Sequence, residues 1–93
     1  MTALLFQLGR VVATPGALSL LADAGANPVE LLERHQRGDW GEVPPADACE
    51  NDVSVRTGFR VLSSYRVGVR GARIWVITEA DRSSTCLLLP EEY

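Results

Sequence analysis

Five polar residues in the last third of the chain have the side-chain types that could bind an anion and act on it. Arg60, Glu79 and Ser84 would fall together at one end of a predicted sheet, with Asp81 and Arg82 in the adjoining turn. Arginine suits this role because its planar guanidinium contacts phosphate or carboxylate oxygens through two N–H groups. One interpretation of the cluster is therefore a site that holds an anionic group, and the other is an ion pair beside an ordinary polar turn.

A proton-transferring side chain would make this cluster a ribonuclease site, and the candidates are Glu79 and His35, the single histidine. Each also has a structural explanation. Glu79 could form a cross-strand ion pair with Arg60 worth about 0.2 to 1 kcal/mol, and His35 could oppose the dipole of a helix end. Trp40, in a loop, could stack on a ligand or fill the gap between helix and sheet. The sequence leaves both explanations open.

Other kinds of chemistry have no motif in this chain. There is no nucleophile elbow, no glycine-rich phosphate loop and no spacing typical of metal ligands. Cys49 and Cys86 lie on unlike elements, so we expect two buried free thiols rather than a disulfide or a zinc site. We therefore expect neither a metal nor a cofactor.

The elements that must position these residues begin with a sheet over residues 58–90. Two turns, at 68–71 and 80–83, divide this stretch into a three-stranded antiparallel meander rich in β-branched and aromatic residues. The turn lengths predict the register. The predicted pairs are Tyr65 with Ile74, Ser63 with Val76, Val61 with Thr78, Leu62 with Ile77, Ser64 with Trp75, Arg60 with Glu79, Ser84 with Glu79, Cys86 with Ile77 and Leu88 with Trp75.

The N-terminal half predicts one strand and three short helices. The strand covers 5–13 and would lie at an edge of the sheet; the helices follow Thr14-Pro15, Asn27-Pro28 and Pro45, and they end at Gly25, Gly38 and Gly58. We expect the third helix to turn Ala48, Cys49, Val53 and Val55 inward and to leave Glu50, Asn51, Asp52 and Ser54 exposed. The central strand is nearly continuously apolar, so it requires cover on both faces, from the N-terminal half or from another chain. The predicted class is α+β, with an N-terminal strand and short helices packed on a C-terminal antiparallel meander of three to four strands.

The length and net charge of the chain indicate which kinds of partner to expect. Ninety-three residues predict a single domain, 1–93, and a domain of this size buries only about 60 to 65% of its unfolded surface, so association with a protein partner or a second copy would help. The net charge of −3 disfavours a nucleic-acid partner. The start, MTALLFQLGR, has no basic region and only a short apolar run, and nothing approaches the roughly 18 apolar residues of a membrane span. We therefore expect no signal peptide, no membrane contact and a cytoplasmic location.

Three segments carry a recognisable pattern: RHQRGDWG at 34–41, GFRVLSSY at 58–65 and IWVITEADRSSTCLLLPEEY at 74–93, with Asn51 between the first two. Together they resemble a widespread family of small bacterial proteins carried on plasmids, integrative elements and chromosomes. Some members are labelled type I restriction subunit or plasmid-related protein. The resemblance implies an association with mobile or defence-related elements and no particular activity.

Two functions remain as hypotheses from the sequence. The first is a non-enzymatic accessory protein that binds a protein partner or its own copy. The alternative is a small metal-independent ribonuclease or toxin, because the order of helices followed by an antiparallel meander is similar to the fold of barnase-like and RelE-like toxins.

Overall fold

The computed structural model describes residues 4–93 and contains four strands, three α-helices and a C-terminal 3-10 turn. In chain order the elements are β1 (Arg10–Ala13), α1 (Pro15–Ala24), α2 (Pro28–Gln36), α3 (Pro45–Thr57), β2 (Val61–Val67), β3 (Ala72–Thr78), β4 (Ser84–Leu88) and the 3-10 turn (Pro90–Glu92). The predicted α+β class is confirmed.

The four strands form one mixed sheet in the order β1-β4-β3-β2. Strands β2, β3 and β4 are an antiparallel meander, and β1 runs parallel to β4 at the edge. The predicted register is confirmed for every pair that lies within the strands, from Val61 with Thr78 to Leu88 with Trp75. Because side chains alternate between faces, this register decides which polar groups enter the core.

Strand β1 is shorter than the predicted strand over 5–13, which is wrong at its N-terminal end. Gly9 has a φ of +64°, a left-handed conformation that interrupts an extended strand. A Cβ at Gly9 would collide with the carbonyl oxygens of Arg82 and Ser83. The chain therefore passes close to the β3–β4 turn at Gly9, and pairing with β4 begins only at Arg10.

The three helices begin where proline and the capping residues predict. Thr14 caps α1 by accepting a hydrogen bond from the Ala17 N–H, and Asn27 caps α2 by accepting one from the Val29 N–H. Gly25 and Gly58 follow α1 and α3 in the left-handed conformation. These predicted boundaries are local properties of the chain, and they are confirmed.

One face of the sheet packs against α1 and α2 and forms the main hydrophobic core. The buried side chains of this core are Ala17, Leu21, Leu31, Tyr65, Val67, Ile74, Val76 and Leu87. A smaller cluster of Phe6, Trp40 and Val61 lies beside it. We call the face of the sheet that packs against α1 and α2 the helix face. It also carries Ser63, Thr78 and Thr85, whose side chains are fully buried.

The opposite face of the sheet is covered in part by the C-terminus, and in part by residues 42–47, which lie beside Leu62, Ser64 and Trp75. The ring of Tyr93 packs edge-on against Trp75, with centroids 5.6 Å apart. Glu92 fixes this segment, because its carboxylate accepts hydrogen bonds from the Thr14 hydroxyl and the Leu89 N–H. Ile77 and Leu88 are buried on this face.

Helix α3 packs beside the sheet with an unexpected set of side chains. Asn51 and Ser54 are buried, whereas Cys49 and Val53 are exposed, so the predicted inward set is wrong for these four residues. Ala48 and Val55 do pack against the smaller cluster. The reason is that α3 lies against the edge of β2, where polar groups can serve unpaired backbone atoms. Cys49 is consequently an exposed thiol and Cys86 a half-buried one.

Candidate functional site

His35 lies in the protein core, at the start of a chain of buried hydrogen bonds. Its side chain is 0% exposed. Nδ1 lies 2.6 Å from Ser63 Oγ and Nε2 lies 2.9 Å from Thr78 Oγ1. Thr78 Oγ1 lies 2.7 Å from Thr85 Oγ1, and the Thr85 hydroxyl donates to the Leu8 carbonyl at 2.8 Å. Helix α2 and three strands are thereby joined through polar side chains.

The Leu8 carbonyl sets the direction of every proton in this chain. A carbonyl only accepts, so Thr85 donates to it and must accept from Thr78, which in turn must accept from His35 Nε2–H. Nδ1 is then left as the acceptor for the Ser63 hydroxyl. Burial, with a smaller contribution from the charge of Arg82, lowers the pKa of His35 to about 3. Both ring nitrogens are engaged and the ring is neutral, which gives His35 a structural role.

Trp40 fills the space between the helices and the sheet. Its ring stacks on Phe6 at 6.3 Å and meets His35 edge-on at 5.9 Å. Its Nε1–H donates to Asp52 at 3.0 Å. The indole is buried, so of the two explanations open from the sequence the geometry supports the packing one.

Arg82 ties three segments of the backbone together. Its guanidinium donates to the carbonyls of Ser54, Phe59 and Glu79 at 2.7 to 3.0 Å. It also lies over the Phe6 ring, 5.4 Å from the centroid. These bonds satisfy carbonyls at the end of α3 and in the β3–β4 turn, so they explain the residue without a bound anion.

The rest of the predicted anion cluster is spread along the rim of the sheet. Within residues 4–93, no ion pair joins Arg60 to Glu79. The Arg60 guanidinium instead lies 5.7 Å from the centroid of the Tyr93 ring. Asp81 is exposed and accepts from the Ser83 N–H in its own turn, and the Ser84 carbonyl accepts from the Glu79 N–H. Ligand binding by these residues stays a prediction.

The outer edge of β2 is paired with neighbouring parts of the chain at Leu62 and Ser64. The Asn51 amide donates to the Leu62 carbonyl at 2.7 Å and accepts from the Leu62 N–H at 3.1 Å. The segment from Trp40 to Glu42 then pairs with both backbone groups of Ser64. Gly41 permits this approach, since a Cβ there would collide with the Ser64 carbonyl. The N-terminal part of this edge, through Ser64, is therefore not available to another strand.

The outer edge of β1 has no such closure among the residues that the structure describes. Arg10 N–H donates to Ser83 and Thr14 N–H donates to Leu87, so the backbone groups of even-numbered residues face β4. By alternation, the N–H and C=O groups of Val11 and Ala13 point away from the sheet. Val11 and Val12 are 44% and 40% exposed on opposite faces. This open edge is the candidate functional site.

Two concave surfaces lie elsewhere on the molecule. A cavity of about 420 Å³ lies between the end of α1 and the β2–β3 turn, bounded by Asp23 and Arg70. A smaller one of about 160 Å³ borders Trp75 and contains Ser64, whose buried hydroxyl has no hydrogen-bond partner. Residues 4–93 hold no group of three or more metal-binding side chains and no helix that is long and apolar enough to cross a membrane.

Comparison of the chain with protein-family models, with curated proteins and with solved structures gives no match. The resemblance noted from three sequence segments therefore stays a prediction.

The sequence does not indicate the open edge, because no residue type is specific to one. The pattern predicts that RVVA at 10–13 belongs to an edge strand, which is correct. Which backbone groups of that strand stay unpaired depends on where β4 lies. One signal was present: the segment contains two valines and neither Lys nor Pro, the residues that usually protect an edge.

Proposed function

We propose that this chain is a non-catalytic accessory protein that acts by binding a protein partner, which adds an extended segment to the sheet along β1. The observation that carries the proposal is the difference between the two sheet edges. The edge of β2 is occupied at Leu62 by Asn51 and at Ser64 by the segment from Trp40 to Glu42, whereas no group within residues 4–93 pairs with the outward N–H and C=O groups of Val11 and Ala13. Addition of a strand to a free edge is a common mode of peptide recognition.

The side chains of β1 suit such a partner. Val11 and Val12 are both close to half exposed and lie on opposite faces, so an added strand would cover apolar surface above and below. Arg10 is the one charged residue of the strand, and no proline interrupts it. The length of four residues limits the hydrogen bonds that can form, which favours reversible binding.

The geometry supports binding better than ribonuclease activity. A general acid or base must come within hydrogen-bond reach of its substrate, but His35 is fully buried and both its nitrogens are engaged. The guanidinium of Arg82, a predicted anion ligand, donates hydrogen bonds to three backbone carbonyls. The family resemblance adds the expectation that the partner is a product of a plasmid or another mobile or defence-related element, in a bacterial cytoplasm.

The test is a position-specific photocrosslink. A photoreactive amino acid replaces Val12 in the full chain, and in a matched control it replaces Val53, which is 42% exposed on α3. We expect a crosslinked polypeptide of defined mass from position 12 and none from position 53, in bacterial cells that express the protein.

The crosslink should depend on the outward backbone of β1. Val11→Pro removes one outward N–H and leaves the hydrogen bonds to β4 in place, because the Val11 N–H faces away from β4. If Val11→Pro does not fold, Val12→Arg with the photoreactive group at Val11 serves the same purpose. Equal crosslinking at positions 12 and 53, or a crosslink that survives these variants, would refute the proposal.

A further inference from the structure

We infer that the partner at β1 is a second copy of this chain, paired antiparallel about a two-fold axis at Val12, so that two four-stranded sheets become one. The inference rests on the proposed function, because it names the occupant of the same edge. It follows from two properties of β1 that fit its own copy: the register of its free backbone groups and the charges at its two ends.

The backbone groups of β1 are self-complementary. In an antiparallel pair centred on Val12, Val11 of one copy lies opposite Ala13 of the other, and the reverse holds across the axis. Val11 and Ala13 are the residues whose N–H and C=O groups point outward. Each such pair exchanges two hydrogen bonds, so the axis generates up to four, and Val12 meets Val12 of the second copy at the closer, non-hydrogen-bonded position.

The charges are complementary in the same register. Arg10 lies opposite Thr14 of the second copy, on the face that also carries Val12. The Thr14 hydroxyl donates to the Glu92 carboxylate at 2.5 Å, so this carboxylate sits beside the end of β1. Within residues 4–93, Arg10 has no ion-pair partner of its own. Two equivalent contacts between Arg10 and Glu92 of the other copy therefore form across the axis.

The Glu92 carboxylate is already held in place and charged in a single chain. Hydrogen bonds from the Thr14 hydroxyl and from the Leu89 N–H hold its pKa below the usual value, so the group is ionised at neutral pH. An unrelated strand need not carry charges opposite Arg10 and Glu92. A second copy places its own Glu92 opposite Arg10 and its own Arg10 opposite Glu92, which is why we choose it over another protein.

The dimer is expected to be weak and reversible, because four residues on each side make a small interface. Sedimentation equilibrium from micromolar to millimolar protein should show the mass rising from one chain toward two. Val11→Pro and Val12→Arg should each leave a monomer over this range. The control Val53→Arg, at nearly the same exposure, should associate like the wild type.

A charge exchange tests the register itself. Arg10→Glu places an acid opposite Glu92 of the second copy, and Glu92→Arg places a base opposite Arg10, so each variant alone should associate about tenfold more weakly. A mixture of the two variants in equal amounts restores opposite charges at both ends and should recover the wild-type mass. A mixture that remains as weak as its components would refute the antiparallel register.

The outcomes separate the inference from the proposed function. If the wild type stays monomeric up to millimolar concentration while position 12 still crosslinks to a different polypeptide, the second copy is wrong and strand addition at β1 stands. If it stays monomeric and position 12 gives no specific crosslink, both are wrong. A dimer that persists in Val11→Pro and Val12→Arg uses another surface and also refutes the inference.

Discussion

Lowering the pH from 7 to 5 should destabilise this protein because His35 is buried as a neutral ring. Its pKa in the folded protein is about 3, whereas the usual value is 6.5. Above pH 6.5 neither the folded nor the unfolded state carries the proton, so the full stability is present. Below pH 6.5 the unfolded state binds a proton that the folded state does not, and stability falls until the pH approaches 3.

The magnitude follows from the distance between the two pKa values. Each pH unit well below 6.5 costs about 1.4 kcal/mol of unfolding free energy, so the change between pH 7 and pH 5 is about 2 kcal/mol. That is a large part of the roughly 5 to 15 kcal/mol of an ordinary domain. The pKa of Asp39 is lowered by its hydrogen bond with Arg34, so that carboxylate loses its contribution only at lower pH, outside this interval.

The assay is urea unfolding at pH 7, 6 and 5, followed by tryptophan fluorescence, since Trp40 is buried beside His35. His35→Gln is the control, because glutamine carries no charge at any of these pH values. Its absolute stability will be lower, so the comparison is between the pH slopes. The wild type should lose about 2 kcal/mol from pH 7 to pH 5 and the variant almost nothing.

A flat wild-type profile would show that the folded state also binds the proton, which contradicts a fully buried neutral ring. An equal slope in His35→Gln would assign the proton to another group. Nitrogen NMR of the folded protein at pH 5 checks the geometry separately: it should report a neutral ring with the proton on Nε2, as the direction of the hydrogen bonds to Thr78 and Leu8 requires.

Two further predictions concern residues beside the N-terminal end of β2. Asn51→Ala should lower the unfolding free energy measured in urea by about 2 to 3 kcal/mol, because it leaves the N–H and C=O of Leu62 without partners. The control Glu50→Ala, on the exposed side of the same helix, should change the unfolding free energy little. An equal, small effect of both substitutions would show that water replaces the amide. A double-mutant cycle of Arg60 and Glu79 should give a coupling near zero, while Arg60 with Tyr93 should give about 0.5 to 1 kcal/mol. A salt-sensitive coupling between Arg60 and Glu79 would restore the cross-strand ion pair.

Much of the fold could be predicted because the signals act over a few residues. Thr14 and Asn27 each precede a proline that sets the first helical turn, and the turn at 68–71 fixes the register of the hairpin on either side. The burial of Ser63 and Thr78 on the helix face follows from that register. These features are local, so the order of residues alone contains them.

The candidate site could not be predicted in the same way. The sequence predicts that Asn51 is an exposed helical residue, but α3 lies against the edge of β2, where the Asn51 amide bonds to the backbone of Leu62. The sequence suggests that His35 opposes a helix dipole, but the fold places Ser63 of β2 and Thr78 of β3 against its ring. In both cases the partner is supplied by a segment distant in sequence.

The sequence by itself determined the elements, their caps and the pairing of the hairpin strands. Only the tertiary structure decided that β1 lies parallel to β4 with Val11 and Ala13 facing outward, and that the edge of β2 is paired at Leu62 and Ser64. The physical reason is the range of the interactions. Propensity, capping and turn geometry involve neighbouring residues, whereas an open edge depends on which distant segments satisfy the backbone groups and which leave them unpaired.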